Sequence, residues 1–215
     1  MRILAFAASL RRASLNRKLI EVAAGILRDH GAEVDLADFR EFDMPLYDAD
    51  EDVAHGRPLG AVALCERLQR AEGLVLAVPE YNYSVPGPLK NAIDWVSRIR
   101  PIPWRGKSTY LISASPSPMG GIRGLWQTRI PLEGCGALVF PDMFALPSAD
   151  KAFAPDGTLA DAPALERLER ELAGFLRVAE RLAPAVPAEG TPETREQEEV
   201  AEALTDEAEI QPESS

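Results

Sequence analysis

Cysteine and histidine are scarce in this chain, and their scarcity argues against several kinds of chemistry. The 215 residues include two cysteines, Cys65 and Cys135, and two histidines, His30 and His55. Neither cysteine has a C-x-x-C or metal-ligand spacing, so we expect no disulfide framework and no metal site, and we interpret both cysteines as packing residues. No Ser/His/Asp arrangement and no G-x-S-x-G nucleophile elbow is present either, so no catalytic side chain is predicted.

Long apolar runs are also missing. No stretch approaches the roughly 18 apolar residues that span a bilayer. The first apolar segment ends in Ser9-Leu10-Arg11-Arg12, which is not a signal peptide. We therefore predict a cytoplasmic protein without a membrane partner.

The formal net charge of −11 is concentrated at one end of the chain. From Pro184 onward ten acidic residues accompany one arginine, which leaves 24 acidic and 22 basic residues in the first 183. We predict one folded, nearly neutral domain over residues 1–183 and an acidic, disordered tail over residues 184–215. The tail has few large apolar residues to offset chain entropy, although a short helix near residues 193–204 stays open. No nucleic-acid partner is predicted.

Apolar strand patterns alternate with helical patterns along the first 183 residues. The predicted strands are 3–8, 33–37, 73–78, 109–113 and 136–140, with helices over 59–71 and 165–182 and after the loops that follow strands 1, 3 and 4. Residues 38–58 are interpreted as a long polar surface connection. This alternation predicts a three-layer α/β fold with a flavodoxin-like, doubly wound sheet of five parallel strands in the order 2-1-3-4-5. A ligand then lies beyond the carboxyl ends of the strands, at the switch between strands 1 and 3.

The first loop, residues 9–16, combines hydroxyls, an amide and guanidiniums between an apolar strand and an amphipathic helix. The N–H groups of such a turn and the N-terminus of its helix point at one place, where an anion is favoured. Arg11 can form a forked contact with phosphate oxygens. The loop as a whole predicts a phosphate site, whereas for Ser14 or Asn16 alone helix capping is the simpler interpretation.

Two further loops follow strands 3 and 4. The second loop, residues 79–87, has prolines, aromatic rings and amides that can frame a flat heteroaromatic ligand; the alternative is a turn whose aromatics pack locally. The third loop, residues 114–121, is rich in serine, and Gly120 and Gly121 allow its backbone to approach a ligand closely. The segment 120–124 is a weak signal by itself and is not the dinucleotide fingerprint, which belongs after the first strand.

Three segments together resemble the NADPH-dependent FMN reductase family. They are Ser9-Leu10-Arg11-x-x-Ser14-x-Asn16, Pro79-Glu80-Tyr81-Asn82 and Pro86-Gly87-x-Leu89-Lys90-Asn91-Ala92-x-Asp94-Trp95, and the resemblance spans roughly residues 1–183. The cofactor-binding residues that it implies are Ser9, Arg11, Ser14, Leu15 and Asn16 in the phosphate-binding first loop, Pro79, Glu80, Tyr81 and Asn82 along the isoalloxazine, and Ser115, Gly120 and Gly121 in the third loop. The chain departs from the family at Ala8, often glycine, and at residues 116–119 of the third loop.

The resemblance implies an FMN-dependent NAD(P)H:acceptor oxidoreductase. Hydride passes from NADPH or NADH to bound FMN and then to a flavin, quinone or similar small-molecule acceptor, while the backbone of residues 80–82 faces the ring. Arg12, Arg17 and Arg123 are candidate partners for the 2′-phosphate of NADPH, and Glu80 is assigned no proton transfer. The resemblance also implies a homodimer or homotetramer. The candidate interface aromatics, equally suited to the core, are Tyr83, Trp95, Trp104 and Trp126.

Two other functions fit the same residues. A flavodoxin-like electron carrier would bind FMN but receive electrons from a protein, and a flavin-binding regulatory protein would use the acidic tail as a contact arm. Carriers tend to use acidic surfaces, and here most of the acidity lies in the tail. The charge distribution therefore favours the enzyme over the carrier.

Overall fold

The computed structural model describes residues 1–183, and the predicted acidic tail, residues 184–215, lies outside the described residues. Five parallel strands form one sheet in the order β2-β1-β3-β4-β5, which confirms the predicted fold. The strands are β1 (Arg2–Ala7), β2 (Glu33–Ala37), β3 (Gly73–Ala77), β4 (Ser108–Ala114) and β5 (Leu138–Leu146). The α-helices are α1 (Leu15–Asp29), α2 (Ala49–His55), α3 (Leu59–Arg70), α4 (Gly87–Val96), α5 (Ile122–Gly134), α6 (Ala149–Ala152) and α7 (Ala162–Leu182), and a 3-10 helix spans Phe39–Phe42.

The central strands are continuous apolar runs because helices cover both faces of the sheet. Every residue of β3 and β4 is buried. Val75 and Tyr110 enter a core that also contains α1 and α7, whereas Leu76 enters the core on the α3 and α4 side. Trp95 and Trp104 lie in this second core, so two of the four candidate interface aromatics are core residues.

The connection between β2 and α3 differs from the polar surface segment predicted for residues 38–58. Its 3-10 helix buries Phe39 and Phe42, whose ring centroids lie 5.5 and 5.9 Å from that of Phe6. The exposed helix α2 follows. The prediction was wrong for the first turn because two aromatic side chains, among many polar ones, are enough to pack the segment against the sheet.

Strand β5 begins later and continues further than the predicted segment 136–140. Its register with β4 shifts between Thr109 and Leu111, where three residues of β5, including Pro141, lie opposite a single residue. Proline lacks an N–H donor and is tolerated in an edge strand at such a bulge, although in sequence it indicates a strand end. The longer strand brings Leu146 to the edge of the sheet beside the third loop.

The two cysteines are free thiols in the described domain. Cys65 is buried in α3, and desolvation raises the pKa of its thiol to about 11. Cys135 is half-buried after α5, and its pKa is also raised, chiefly by desolvation. Among residues 1–183 no group of three or more His, Cys, Asp or Glu side chains is arranged to hold a metal ion, and no helix is long and apolar enough to cross a membrane.

Candidate active site

Three loops begin side by side at the carboxyl edge of the sheet. Strand β3 lies between β1 and β4, with Ala77 paired to Ala7 on one side and to Ile112 on the other. The N–H of Ala8 donates to the carbonyl of Ala77 (2.9 Å), and the N–H of Val78 donates to that of Ile112 (2.8 Å). The strands therefore stay paired up to the start of the loops, at the predicted switch between β1 and β3.

The first loop presents a run of unpaired backbone donors. Within residues 1–183, the N–H groups of residues 10–16 donate to no protein acceptor. Ser14 is the N-cap of α1, where its hydroxyl accepts from the N–H of Arg17 (3.4 Å), and the first turn of α1 has no acidic residue. Arg11 and Arg12 are exposed and have no carboxylate partner in the described domain. Free N–H groups and guanidiniums at a helix N-terminus favour an anion.

Asn16 connects the first loop to the end of β4. Its Nδ2 donates to the carbonyl of Ala114 (3.0 Å), its Oδ1 accepts from the N–H of Ala114 (2.9 Å), and the residue is buried. The side chain thus satisfies both backbone groups of the last residue of the strand. The contact between Asn16 and the FMN phosphate, which the resemblance implies, stays a prediction.

The remaining predicted residues of the first loop lie at its two ends. Ser9 is buried directly after β1, and its N–H donates to the carbonyl of Ala7 (2.7 Å). Leu15 is the first residue of α1. Ser9 borders the run of unpaired N–H groups and Leu15 lies within it, so the predicted phosphate ligands of this loop lie in one short segment.

The 3-10 helix holds the outer side of the first loop. Arg40 donates to the carbonyl of Leu10, and Arg17 pairs with Asp38. The backbone N–H of Arg40 and then the guanidinium of Arg17 lower the pKa of Asp38. Because Arg17 already has a carboxylate partner, it is a weaker candidate for the 2′-phosphate of a nucleotide.

The second loop contains a tight turn with unusual backbone angles. Tyr81 and Ser84 exchange two backbone hydrogen bonds, of 3.0 and 2.9 Å, around Asn82 and Tyr83, whose φ angles are +48° and +66°. Turns of this kind usually have glycine at the second central position, and an L-residue with left-handed backbone costs about 1–2 kcal/mol. The N–H groups of Glu80, Asn82 and Tyr83 have no acceptor within residues 1–183. The turn therefore presents donors at the edge of the sheet, next to the exposed ring of Tyr81.

Glu80 ties the second loop to α5. Its carboxylate accepts from the N–H groups of Arg123 (3.2 Å) and Gly124 (3.4 Å) and pairs with the guanidinium of Arg123 (2.6 Å). The N-cap of α5 is Gly121, which has no side chain, so Glu80 supplies the capping acceptor from another loop. The N-terminus of α5 is thus capped by a carboxylate of the protein. The N-terminus of α1 has no such carboxylate among the described residues and is open to an anionic ligand.

The third loop packs closely on the sheet at Gly120 and Gly121. Both have left-handed backbone, with φ angles of +61° and +89°. A Cβ on Gly120 would lie 2.8 Å from the carbonyl carbon of Leu146, and one on Gly121 would lie 2.1 Å from Oγ of Ser113. The N–H of Ser115 donates to the carbonyl of Leu146 (3.1 Å). Contacts within the chain account for both glycines, and their approach to a ligand stays a prediction.

Arg123 and Gly124 contact the second loop, although the sequence motif that contains them is a weak signal. A Cβ on Gly124 would lie only 2.9 Å from the Cα of Glu80. The sequence does contain a usable clue. An acid in the loop after β3 faces an arginine at the helix start after β4, and neighbouring parallel strands place these loops side by side.

A surface cleft of about 610 Å³ adjoins the first loop. Aromatic and aliphatic side chains dominate its wall, which suits a largely apolar ligand. The lining residues are Leu10, Phe39, Arg40, Phe42, Asp43, Met44, Leu46, Gly87, Pro88 and Asn91. The cleft thus joins the first loop to the start of α4, which follows the second loop.

Comparisons with known proteins confirm the resemblance. A family model described as NADPH-dependent FMN reductase matches residues 1–151. A quinone reductase of Escherichia coli is 37% identical over 142 residues, which cover 65% of this chain and 76% of the relative. An NAD(P)H-dependent FMN reductase of Pseudomonas aeruginosa is 36% identical over 180 residues, covering 80% and 91% of the two chains.

Solved structures show the same fold. The flavoenzyme NAD(P)H:(acceptor) oxidoreductase FerB of Paracoccus denitrificans has a TM-score of 0.74 at 26% identity, and the match covers 85% of this chain and 99% of that one. An oxidised flavodoxin of Bacillus cereus has a TM-score of 0.51 at 14% identity, covering 82% and 97%. The similarity to the flavodoxin shows the fold alone.

Proposed function

This chain belongs to the NADPH-dependent FMN reductase family, and we propose that it oxidises NADPH or NADH through bound FMN and reduces a quinone. Family membership makes it an FMN-dependent NAD(P)H oxidoreductase. The acceptor, the residues that hold FMN and the assembly belong to the proposal. The observation that carries it is the open N-terminus of α1, whose unpaired N–H groups follow β1, the strand that pairs with β3, after which the second loop begins.

The donors of the first loop fit the phosphate of FMN. Ser9, Arg11 and Ser14 offer hydroxyls and a guanidinium, and the N–H groups of Leu15 and Asn16 belong to the first helical turn, where no acidic side chain competes. A helix N-terminus and a guanidinium both stabilise the negative charge of a phosphate. We therefore assign the phosphate to this loop.

The second and third loops suit the flavin ring. Neighbouring strands are about 4.8 Å apart, so the loops after β1, β3 and β4 span roughly 10 Å. A mononucleotide that extends over such a distance, with its phosphate at the first loop, places its ring at Pro79, Glu80, Tyr81 and Asn82. Ser115, Gly120 and Gly121 border the same position from the third loop.

FMN, when bound, accepts hydride from NAD(P)H and passes the electrons to the acceptor. The chain supplies binding, orientation and electrostatics. The unpaired N–H groups of Glu80 and Asn82 can donate to the polar edge of the ring and favour negative charge there. The carboxylate of Glu80 is engaged by Arg123 and two backbone donors, so it serves as an acceptor within the chain and not as an acid.

The cleft beside the first loop supports a quinone as the acceptor. Phe39, Phe42 and Met44 line it, and its arginine, Arg40, already donates to the carbonyl of Leu10. An inorganic oxyanion such as chromate needs several free cations, because a charge without partners is costly to desolvate. A planar apolar acceptor needs mainly apolar contact area, which this wall provides.

Anaerobic reduction followed by steady-state turnover tests the proposal. NADPH or NADH should bleach the visible absorbance of the FMN-loaded protein, and kcat/KM should be higher with a benzoquinone than with free FMN, an azo dye or chromate. Bound FMN that neither nicotinamide bleaches would indicate the electron carrier instead. A colourless protein whose melting temperature does not rise with added FMN would defeat both functions. A preference for another acceptor would contradict the quinone alone.

Arg12 is the arginine that we propose for the 2′-phosphate of NADPH. Of the three candidates, Arg17 pairs with Asp38 and Arg123 pairs with Glu80. Arg12 is exposed and has no carboxylate partner within residues 1–183. We place the reaction in the cytoplasm, where NADPH and NADH are available.

A homodimer is the assembly that we propose. Three large apolar side chains between residues 46 and 59, those of Leu46, Val53 and Leu59, are 85%, 89% and 88% exposed, and exposed apolar residues that cluster in one segment indicate an interface. Sedimentation at several concentrations should give a dimer, and Leu46→Glu should shift it toward monomer. A wild-type monomer at every concentration would contradict the proposal, and a heavier species would indicate the homotetramer.

A further inference from the structure

The guanidinium of Arg123 contacts two residues of the second loop, the carboxylate of Glu80 and the ring of Tyr83. We infer that Arg123 is a positioning residue: by holding Glu80 and Tyr83 it keeps the backbone of the second loop in the conformation that receives the flavin ring. The inference rests on the proposed function, because it concerns the loop to which the ring is assigned.

The first contact neutralises a nearly buried carboxylate. The side chain of Glu80 is 11% exposed, and its oxygen lies 2.6 Å from the guanidinium of Arg123, whose own side chain is 31% exposed. The hydrogen bond from Arg123 to Glu80 raises the pKa of the guanidinium, so Arg123 stays charged. Without it, the carboxylate would keep two backbone donors but lose its counter-charge, and a carboxylate in that position favours moving toward water. A shift of the Glu80 backbone that follows this movement would displace its N–H group, one of the proposed ring donors.

The second contact stabilises the strained residue of the turn. Cζ of Arg123 lies 4.0 Å from the centre of the Tyr83 ring, within the range of a cation–π contact. Tyr83 has a φ of +66° and is otherwise largely exposed, so a conformation that is intrinsically unfavourable has few other supports. Arg123 thus holds the loop on both sides of Asn82, whose N–H group is one of the proposed ring donors.

These contacts make two alternatives for Arg123 distinguishable from a positioning role. As a ligand of the FMN phosphate, it would affect FMN binding and leave riboflavin, which lacks the phosphate, unaffected. As a ligand of the 2′-phosphate, it would affect KM for NADPH and leave KM for NADH unaffected. As a positioning residue for the ring, it affects both flavins by the same factor.

The test measures FMN and riboflavin affinities by flavin fluorescence. Arg123→Met, which keeps an unbranched apolar stem and removes the charge, should weaken the binding of both flavins by the same factor, about tenfold, the loss expected for one charge-assisted hydrogen bond. Arg123→Lys keeps the charge without the planar fork and should give a smaller loss for both. The unfolding midpoint of the flavin-free protein in urea should change little, because the second loop can shift until the carboxylate of Glu80 reaches water. Arg70→Met is the matched control, because Arg70 also pairs with a glutamate, Glu66 (3.4 Å), but lies at the end of α3.

Three results would overturn the inference. They are an unchanged affinity for both flavins in Arg123→Met, a loss of affinity confined to FMN, and a rise in KM for NADPH without one for NADH. If Arg123→Met does not fold, Glu80→Gln, which keeps the size and removes the charge, gives the same comparison of the two flavins. Wild-type protein that binds neither flavin would instead defeat the proposed function.

Discussion

A methyl group added at Gly124 tests whether close contact with α5 holds the second loop in place. A Cβ there would lie 2.9 Å from Cα and 3.1 Å from Cβ of Glu80, and 3.3 Å from the carbonyl oxygen of Pro79. Two of these neighbours are backbone atoms, which cannot rotate away as a side-chain end can. Gly124→Ala therefore requires the second loop to move away from the helix.

Gly25 provides a matched control in the middle of α1, where an added Cβ would meet no atom within 4 Å. Gly25→Ala should stabilise the protein by about 0.5–1 kcal/mol, because alanine favours the helix and restricts the unfolded chain. Gly124→Ala gains part of the same stabilisation from alanine, but an overpacked contact costs about 1–3 kcal/mol. We expect Gly124→Ala to be destabilised by about 1 kcal/mol relative to wild type, and thus to be roughly 1.5–2 kcal/mol less stable than Gly25→Ala.

Two measurements on the same pair of variants complete the test. Urea unfolding without flavin gives the free energies of unfolding, and fluorescence titration gives the FMN and riboflavin affinities. Gly124→Ala should bind both flavins more weakly by the same factor, whereas Gly25→Ala should bind them as wild type does. Equal stability of the two variants together with wild-type flavin affinity in Gly124→Ala would refute the argument that α5 positions the second loop.

Three further predictions concern the first loop and its supports. Arg11→Ala should weaken FMN binding by about 1.5–3 kcal/mol, as for a charge-assisted hydrogen bond, with riboflavin binding unchanged; an unchanged FMN affinity would remove Arg11 from the phosphate site. Asn16→Ala should lower the free energy of unfolding in urea by about 1–3 kcal/mol, because both backbone groups of Ala114 lose their partner; wild-type stability would contradict that role. Asp38→Asn should be less stable than wild type at neutral pH. Because the folded pKa of Asp38 is lowered, this difference is complete above its ordinary value of 3.8 and shrinks as the pH falls through the folded pKa, and a difference that does not change with pH would exclude the charge as its cause.

The sheet was predictable from sequence because its residues carry a local signal. Parallel strands covered on both faces are continuous apolar runs, so Gly73–Ala77 stands out from the polar segments on either side of it. The strand Glu33–Ala37 was predicted at both of its ends, where Gly31 and the polar connection delimit it. The signal failed at Pro141, where a residue that indicates a strand end lies in a bulge.

The side-chain contacts that hold the loops of the site in place were not predictable in the same way, because the two residues of each contact are far apart in sequence. The amide of Asn16 pairs with Ala114, 98 positions away, and the carboxylate of Glu80 pairs with backbone groups of α5, 43 and 44 positions away. A polar side chain looks the same in sequence whether it faces a ligand or the backbone. What differs is burial, and burial depends on how distant elements pack.

Because ligand residues and supporting residues look alike in sequence, substitution of polar residues reveals only part of how such a site binds its ligand. The second loop contains a tyrosine with left-handed backbone, a feature that costs stability unless contacts behind it compensate. Asn16 and Glu80 hold the first and second loops through their side chains. Replacing either residue should therefore weaken FMN binding even if neither side chain touches FMN, and a fall in affinity alone cannot identify a ligand residue. The pattern across three measurements can: a phosphate ligand affects FMN alone, a support of the ring loop affects FMN and riboflavin equally, and a structural connection such as that of Asn16 also lowers the stability of the flavin-free protein.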